Sequence, residues 1–357
     1  AEYKYSFDYQ NWYPAVEFET KNTVTNVGLF ELSPFSKYEI KGEQAHSELQ
    51  RICTANIKNE IGRSTYTQML NEAGGIETDL TVICIDKDCF RIISSAATRT
   101  HDKAHILKHL SPTLELKDIT DELACLGVFG PKSRNLISKI SKDDFSNKTF
   151  KFGYGKFITI NSKKVWAQRL SYVGELGFEL YIENKDAKEI YQLIVEEGKN
   201  HNLSHCGSHA MDTMRMESGF LHWGHDISPE ENQYQAGLNF AISYRKEVNF
   251  IGKESLLKVK EKKHDRRFIM LSLLDSKPGY PLLLHEEPIY LKDEIIGRTT
   301  SGNYSFNFKK NLSFGYVTSN HTNEELSKMD LYIEVAKQKY PAKVEIIPLK
   351  DKSSRFL

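Results

Sequence analysis

Three stretches of the chain put polar side chains where the surrounding pattern calls for core. In "GGIETDLTV", Asp79 follows a double glycine and precedes an apolar run, so its carboxylate should lie at the mouth of a strand. The same placement suits a turn aspartate on a hairpin. In "SYVGELGFELYIE", strand periodicity sets Glu179 on the face opposite Phe178 and Leu180, with Gly174 and Gly177 letting the backbone turn sharply before it. A carboxylate held there can accept two hydrogen bonds from a planar, amidine-like edge such as that of a pterin or purine. An edge strand with its charges facing water fits the pattern equally. In "MDTMRMESGFLHWGHD", Asp212 and Arg215 share a helix face and Glu217 does not. Arg215 stands among Met211, Met214 and Met216, which suggests a buried cation in need of a partner; the alternative is a surface pair with Asp212 that contributes little. His222 and His225 are three apart with no third ligand near them in sequence, so no metal site is expected. No GxSxG elbow points to a serine hydrolase, and neither GxGxxG after a first strand nor GxxxxGK[ST] offers a phosphate cradle.

These residues must be positioned by a chain of 357 residues, long enough for two or three packed units. Lys plus Arg and Asp plus Glu balance at 48 each, so no global field favours nucleic acid or an acidic membrane face. The five cysteines (53, 84, 89, 125 and 206) are scattered without a CxxC pair, which reads as buried free thiols in a reducing compartment. No long apolar run and no signal-peptide pattern occurs, and a soluble, intracellular protein is expected, cytoplasmic or in the mitochondrial matrix. The chain opens Ala-Glu-Tyr-Lys without methionine, which fits processing or excision from something longer.

Periodicity predicts a strand at Lys37–Ile40 and a helix in "HSELQRICTANI". Two strands, a Gly74-Gly75 turn and two further strands meeting at "DKDC" come next. Helix is expected in "TRTHDKAHILKHL" and in "PKSRNLISKI", where proline suits the first turn. Strands in "KKVWAQRLSYVG" and "FELYIE" lead to helices from Asp186 to about His201 and from Ser208 to Ser218. This alternation is α+β layering rather than a doubly wound parallel sheet. The charged run Lys258–Arg267 reads as a linker, and the short strands after it as a small β-barrel. The division expected is a body over 1–262 and a barrel over 263–357.

In order and spacing, "NEAGGIETDLTV", "SYVGELGFELYI", "MDTMRMESGF", "NFIGKESLLK", "GRTTSGNYSF" and "LSFGYV" resemble the tetrahydrofolate-binding aminomethyltransferase family, which includes the glycine-cleavage T-protein. The resemblance runs from about Val27 to about Ile347. "ITDELACLGVFGP", "LSYVGELGFELY" and "TTSGNYSF" look most like the C-terminal folate halves of dimethylglycine and sarcosine dehydrogenases. The resemblance implies α+β modules around a central folate funnel, followed by a small barrel. It implies Asp79 as the catalytic carboxylate, Glu179 as the pterin-binding carboxylate and Arg215 as a folate-pocket arginine. Tyr172, Trp223 and Tyr304 would flank the flat rings or close the site. The implied cofactor is tetrahydrofolate. The implied partners are a methylated amine or its iminium and a flavin dehydrogenase domain or subunit, with the carbon trapped as 5,10-methylene-tetrahydrofolate. A stand-alone T-protein, a demethylase of a methylated osmolyte and a non-catalytic folate-binding protein are the other readings. Leu176 stands where T-proteins usually carry aspartate, and Gln235 where relatives often carry glutamate before "AGL".

Overall fold

The computed structural model describes residues 2–6, 9–261 and 266–357. Helix α1 (Tyr13–Thr25) leads into β1 (Val27–Glu31), β2 (Ser36–Lys41), α2 (Ala45–Ile52), β3 (Ser64–Leu70), β4 (Ile76–Asp86) and β5 (Cys89–Ser94). Next come α3 (Arg99–His109), β6 (Glu115–Asp118), β7 (Leu123–Phe129), α4 (Ser133–Ile140), β8 (Gly155–Ile160) and β9 (Lys163–Gln168). The body continues with β10 (Gly177–Glu183), α5 (Asn184–Gly198), β11 (Leu203–Cys206), α6 (Ser208–Glu217) and α7 (Lys253–Lys260). The last part holds β12 (Arg266–Leu273), β13 (Pro288–Leu291), β14 (Glu294–Ser305), β15 (Lys310–Thr318), α8 (Asn323–Leu326), β16 (Leu331–Val335) and β17 (Gln338–Glu345).

The strands make three layers. A six-stranded sheet runs β11-β1-β7-β10-β9-β8, and a five-stranded sheet runs β3-β4-β5-β2-β6. The third closes on itself as a barrel, β12-β15-β14-β13-β16-β17, which leaves no unpaired edge. The fold is therefore α+β with a small C-terminal β-barrel. Each sheet has its own core, because each strand alternates its side chains between faces. Phe178, Leu180 and Ile182 of β10 pack with Ile137 of α4 and Ile190 and Ile194 of α5. On β4, Leu80, Val82 and Cys84 pack with Leu49 of α2 and Ile106 of α3. The opposite faces, carrying Glu179 and Asp79, are left to point at the space between the layers.

Several local expectations need correction. One strand, β3, precedes the Gly74-Gly75 turn instead of two. Pro131 lies before the Lys132 N-cap of α4, outside its first turn. Gly174 does take a left-handed turn (φ 75°), but Gly177 does not; a Cβ on Gly177 would come 2.2 Å from Cδ1 of Phe129, so close packing requires it. Cys89 is only half-buried, whereas the other four thiols are buried. Of the linker expected at 258–267, residues 262–265 lie outside the described residues, and with them the expected boundary. Lys258–Lys260 end α7, while Arg266 and Arg267 open β12. Among the described residues no helix is long and apolar enough to cross a membrane.

Candidate active site

The two sheets, α6 and the barrel surround one cavity of about 1090 Å³. Its wall includes Asp79 of β4, Glu179 and Tyr181 of β10, and Asp212 and Arg215 of α6. Ser301 and Asn303 of β14 bring in the barrel, and Lys352 and Arg355 the C-terminal segment. A central funnel is thus present, built where no layer covers the polar faces of β4 and β10.

Asp79 faces Gln68 across the β3–β4 ladder, and Gln68 Nε2 donates to Asp79 Oδ1 at 2.7 Å. The Tyr66 hydroxyl is a second donor to the same carboxylate. No cation pairs with it among the described residues. Burial is the largest influence on this group and, despite both donors, pushes its pKa up to about 6. A carboxylate so tuned can hold or release a proton near neutral pH.

Glu179 receives the Tyr181 hydroxyl at Oε2, 2.7 Å, two residues along the same strand face. Among the described residues no donor meets its other oxygen. Burial raises its pKa as well, with Tyr181 opposing. This is a carboxylate with an acceptor to spare, turned into the cavity.

Arg215 is different. Its Nε donates to Asp212 Oδ1 (2.8 Å), Nη1 to Asp226 Oδ2 (2.6 Å) and to the Phe220 carbonyl (3.1 Å), and Nη2 to the Ser301 hydroxyl (2.9 Å). Four of five N–H groups are used, and one remains. Asp226, 1% exposed, also accepts from Thr300 Oγ1 (2.6 Å), Ser301 Oγ (2.7 Å) and the His222 amide (3.0 Å). Burial works against the Arg215 charge, but Asp226 and Asp212 outweigh it and raise its pKa. The surface pair with Asp212 is only half of the picture: the buried partner is Asp226, contributed by the loop after α6. Glu217 points elsewhere, as helix geometry requires, accepting from Ser305 Oγ (2.6 Å) and Asn307 Nδ2 (3.0 Å).

Tyr172 and Trp223 line the cavity. The Tyr172 hydroxyl donates to the Leu221 carbonyl (2.9 Å) and its ring stacks on Phe220 at 5.9 Å; Trp223 Nε1 donates to the Ile76 carbonyl (3.0 Å). Tyr304 is not in the wall. Its neighbour Asn303 faces Asp212, so alternation turns Tyr304 the other way, into a buried cluster with Tyr13, Val16 and Phe306. Gln235 also lies outside this cavity, with its Oε1 bonded to the Asn232 backbone and side chain. His222 and His225 face each other with ring centroids 4.6 Å apart, and among the described residues no group of three His, Cys, Asp or Glu could hold a metal ion.

Sequence reasoning missed Gln68, Tyr66, Asp226 and Arg355. Gln68 and Tyr66 sit two apart on β3, the signature of one polar strand face, and could have been paired with Asp79 by counting across the Gly-Gly turn. Arg355 stands over the Phe220 and Phe152 rings at 5.3 and 5.6 Å; nothing local marks it out.

Residues 1–246 match the model of the GCVT N-terminal domain, and residues 266–351 that of the glycine cleavage T-protein C-terminal barrel domain. The chain is 35% identical over 351 residues to 4-methylaminobutanoate oxidase (formaldehyde-forming) of Paenarthrobacter nicotinovorans, covering 98% of this chain and 42% of that protein. It is 34% identical over 356 residues to the mitochondrial dimethylglycine dehydrogenase of Rattus norvegicus, again 98% of this chain but 40% of the relative. It therefore spans about two fifths of those proteins. An aminomethyltransferase of Anoxybacillus flavithermus is 30% identical over 336 residues, covering 92% of this chain and 90% of the relative. The solved aminomethyltransferase T of the Bartonella henselae glycine cleavage system superposes with a TM-score of 0.84 at 20% identity, over 99% of this chain and 95% of that one, which is a likeness of fold. This chain belongs to the glycine-cleavage T-protein family, the tetrahydrofolate-binding aminomethyltransferases.

Proposed function

We propose that this chain is a one-carbon transferase domain that takes an iminium or aminomethyl carbon from an N-methyl amine of the dimethylglycine, sarcosine or 4-methylaminobutanoate type. The observation that carries the reading is the pairing of two underpartnered carboxylates, Asp79 and Glu179, in one cavity. Tetrahydrofolate, when bound, supplies the nitrogen nucleophiles that take up the carbon and carry it off as the 5,10-methylene form. The lining fits each part of a folate. The free oxygen of Glu179, with Oε2 beside it, suits the donor edge of a pterin. Tyr172, Phe220 and Trp223 offer flat apolar surfaces, and Lys352 and Arg355 suit the carboxylates of a glutamyl tail. Arg215 contributes its one remaining N–H and, above all, holds Asp212, the loop after α6 and strand β14 of the barrel in place.

Asp79 is the catalytic carboxylate in this reading. It orients the incoming carbon by its charge, favours the cation and accepts a proton. It is partly buried in the cavity wall, so its charge acts in a lower effective dielectric than bulk water. The partner would be a flavin dehydrogenase domain or subunit that makes the iminium, as the names of the oxidase and dehydrogenase relatives suggest. The body and barrel divide, in our reading, between residues 262 and 263, after α7 and before β12. A second reading, a stand-alone aminomethyltransferase, draws on the relative whose length this chain spans almost fully.

The test is titration of the chain with tetrahydrofolate by calorimetry, followed by one-carbon transfer from dimethylglycine in the presence of a flavin dehydrogenase, and from an aminomethyl-lipoyl carrier. Folate binding with transfer only when the dehydrogenase is present supports the first reading. Transfer from the lipoyl carrier replaces it with the second. Absence of folate binding overturns both.

A further inference from the structure

Behind Asp79 lies a line of polar side chains that the proposed chemistry does not use. Gln68, Gln233 and Thr54 are each fully buried, with relative exposures of 0%. Gln68 Nε2 donates to Asp79 Oδ1 at 2.7 Å. Gln233 Nε2 donates to Gln68 Oε1 at 2.5 Å and to Thr54 Oγ1 at 3.1 Å, and Thr54 Oγ1 donates to the Ala241 carbonyl at 3.1 Å. The four groups come from three separate parts of the chain: the segment after α2, strand β3 and the loop between α6 and α7.

The direction of every bond in this line follows from its far end. A backbone carbonyl can only accept, so the Thr54 hydroxyl donates to Ala241 at 3.1 Å in preference to Thr67 Oγ1, which lies farther off at 3.4 Å. Thr54 then offers a lone pair, which selects the amino side of Gln233. With its amino group turned that way, Gln233 also presents an N–H to Gln68, which selects the carbonyl side of Gln68. Gln68 is left with its amino group against Asp79. Gln233 Oε1 is buried without a partner among the described residues, so this orientation is held although one acceptor goes unbonded. Turning both amides over would aim the Gln68 oxygen at an ionised carboxylate, lone pairs against lone pairs. An exposed glutamine would choose its own rotamer; this one has no choice.

We propose that Gln68, locked by Gln233, is a positioning residue that presents one fixed N–H donor to Asp79 and so sets the pH at which this carboxylate ionises. The inference rests on the reading of Asp79 as the working carboxylate, but it can be tested apart from it. The other titratable groups facing Asp79 are Tyr66 on β3, Asp102 on α3 and Tyr172 in the loop before β10. Tyr66 favours the ionised form and Asp102 opposes it. Asp102 is itself tied to His101 Nδ1 (3.2 Å) and to the Thr98 hydroxyl (2.6 Å). Neither replaces a donor lost at Gln68: Tyr66 already gives its one hydroxyl proton to Asp79, and Asp102 is a carboxylate that accepts from Thr98.

The experiment is an infrared pH titration of the intact chain that follows the C=O stretch of the protonated carboxyl, assigned to Asp79 by its loss in Asp79→Asn. Gln68→Met, close in size and without a donor, should raise the midpoint by roughly one pH unit, the expected effect of losing one hydrogen bond to a charged acceptor. Gln233→Met leaves Gln68 in place but free to turn over, and should raise the midpoint by less. The double variant should match Gln68→Met, since Gln233 acts through Gln68. A midpoint in Gln68→Met indistinguishable from the parent, or full additivity in the double variant, overturns the proposal. If Gln68→Met does not fold, Gln233→Met decides alone, and an unmoved midpoint there also overturns it. A moved midpoint supports the relay whatever the transfer rate does; a moved midpoint with an unchanged transfer rate would instead count against Asp79 as the catalytic group.

Discussion

Two carboxylate settings in this molecule use the same residue types to opposite ends. In one, Asp79 and Glu179 look into the cavity with amide and hydroxyl donors and no cation, and burial raises both pKa values. In the other, Asp226 and Asp212 enclose Arg215 at the junction of α6 and the barrel, and almost every donor and acceptor is used. Burial opposes the Asp212 charge too, yet Arg215 lowers its pKa below the ordinary carboxylate value. The difference is one of saturation. A charge whose hydrogen bonds are complete holds structure, and one left short of partners is ready for a ligand.

The largest predicted effect tests the open pair. Asp79→Asn should cut one-carbon transfer by about 100- to 10,000-fold, the usual range for losing a general acid–base group, while tetrahydrofolate affinity stays within roughly threefold. Paired single-turnover and calorimetric measurements check this; retained transfer would remove Asp79 from its role. The matching test of the closed setting is Asp226→Ala. It strands a buried guanidinium and should cost about 3–5 kcal/mol in chemical denaturation. A loss below ~1 kcal/mol would show that the contrast between the two regions is not one of saturation.

Smaller effects sharpen the comparison. Glu179→Gln keeps the shape but removes the charge and turns one acceptor into a donor. Folate affinity should fall about 10- to 100-fold, equivalent to ~1.5–3 kcal/mol, with stability little changed. Unchanged affinity would deny Glu179 its role. The raised pKa of Asp79 also carries a stability signature. The native state holds this proton between the ordinary value of 3.8 and about 6, where the unfolded chain has released it, so stability falls as pH rises through that window. Asp79→Asn should therefore gain on the order of 1–3 kcal/mol over the parent at pH 7–8 and lose that advantage below about pH 4. Denaturation midpoints across pH would show it. Tyr304→Phe, just outside the cavity wall, should leave folate affinity within about twofold, as expected for a side chain turned away from the cavity.

Much of this was legible in the chain. Alternation along β10 placed Glu179 opposite its core-facing neighbours, and the 3.6-residue repeat of α6 joined Asp212 to Arg215 and separated Glu217. Asp79 was expected at the mouth of a strand and instead stands inside β4, on the face opposite Leu80. The periods are local, so local sequence carries them. Tyr304 was put in the site by resemblance and not by periodicity; its position in β14 relative to Asn303 decides otherwise, and β14 contains a register shift between Thr299 and Ser301 that no local period reveals.

What the sequence determined by itself was the type of many elements, the face that Glu179, Asp212 and Arg215 occupy and, through six ordered motifs, the family. Only the tertiary structure decided which charges are complete. Asp226 reaches Arg215 from eleven residues away, Ser301 from 86, and Gln233 reaches Gln68 from 165. A hydrogen bond depends on a few tenths of an ångström between atoms, and separations of that size along the chain carry no trace of which atoms will meet. Chain periodicity could orient a carboxylate, but the packing of three layers determined whether it would find a partner.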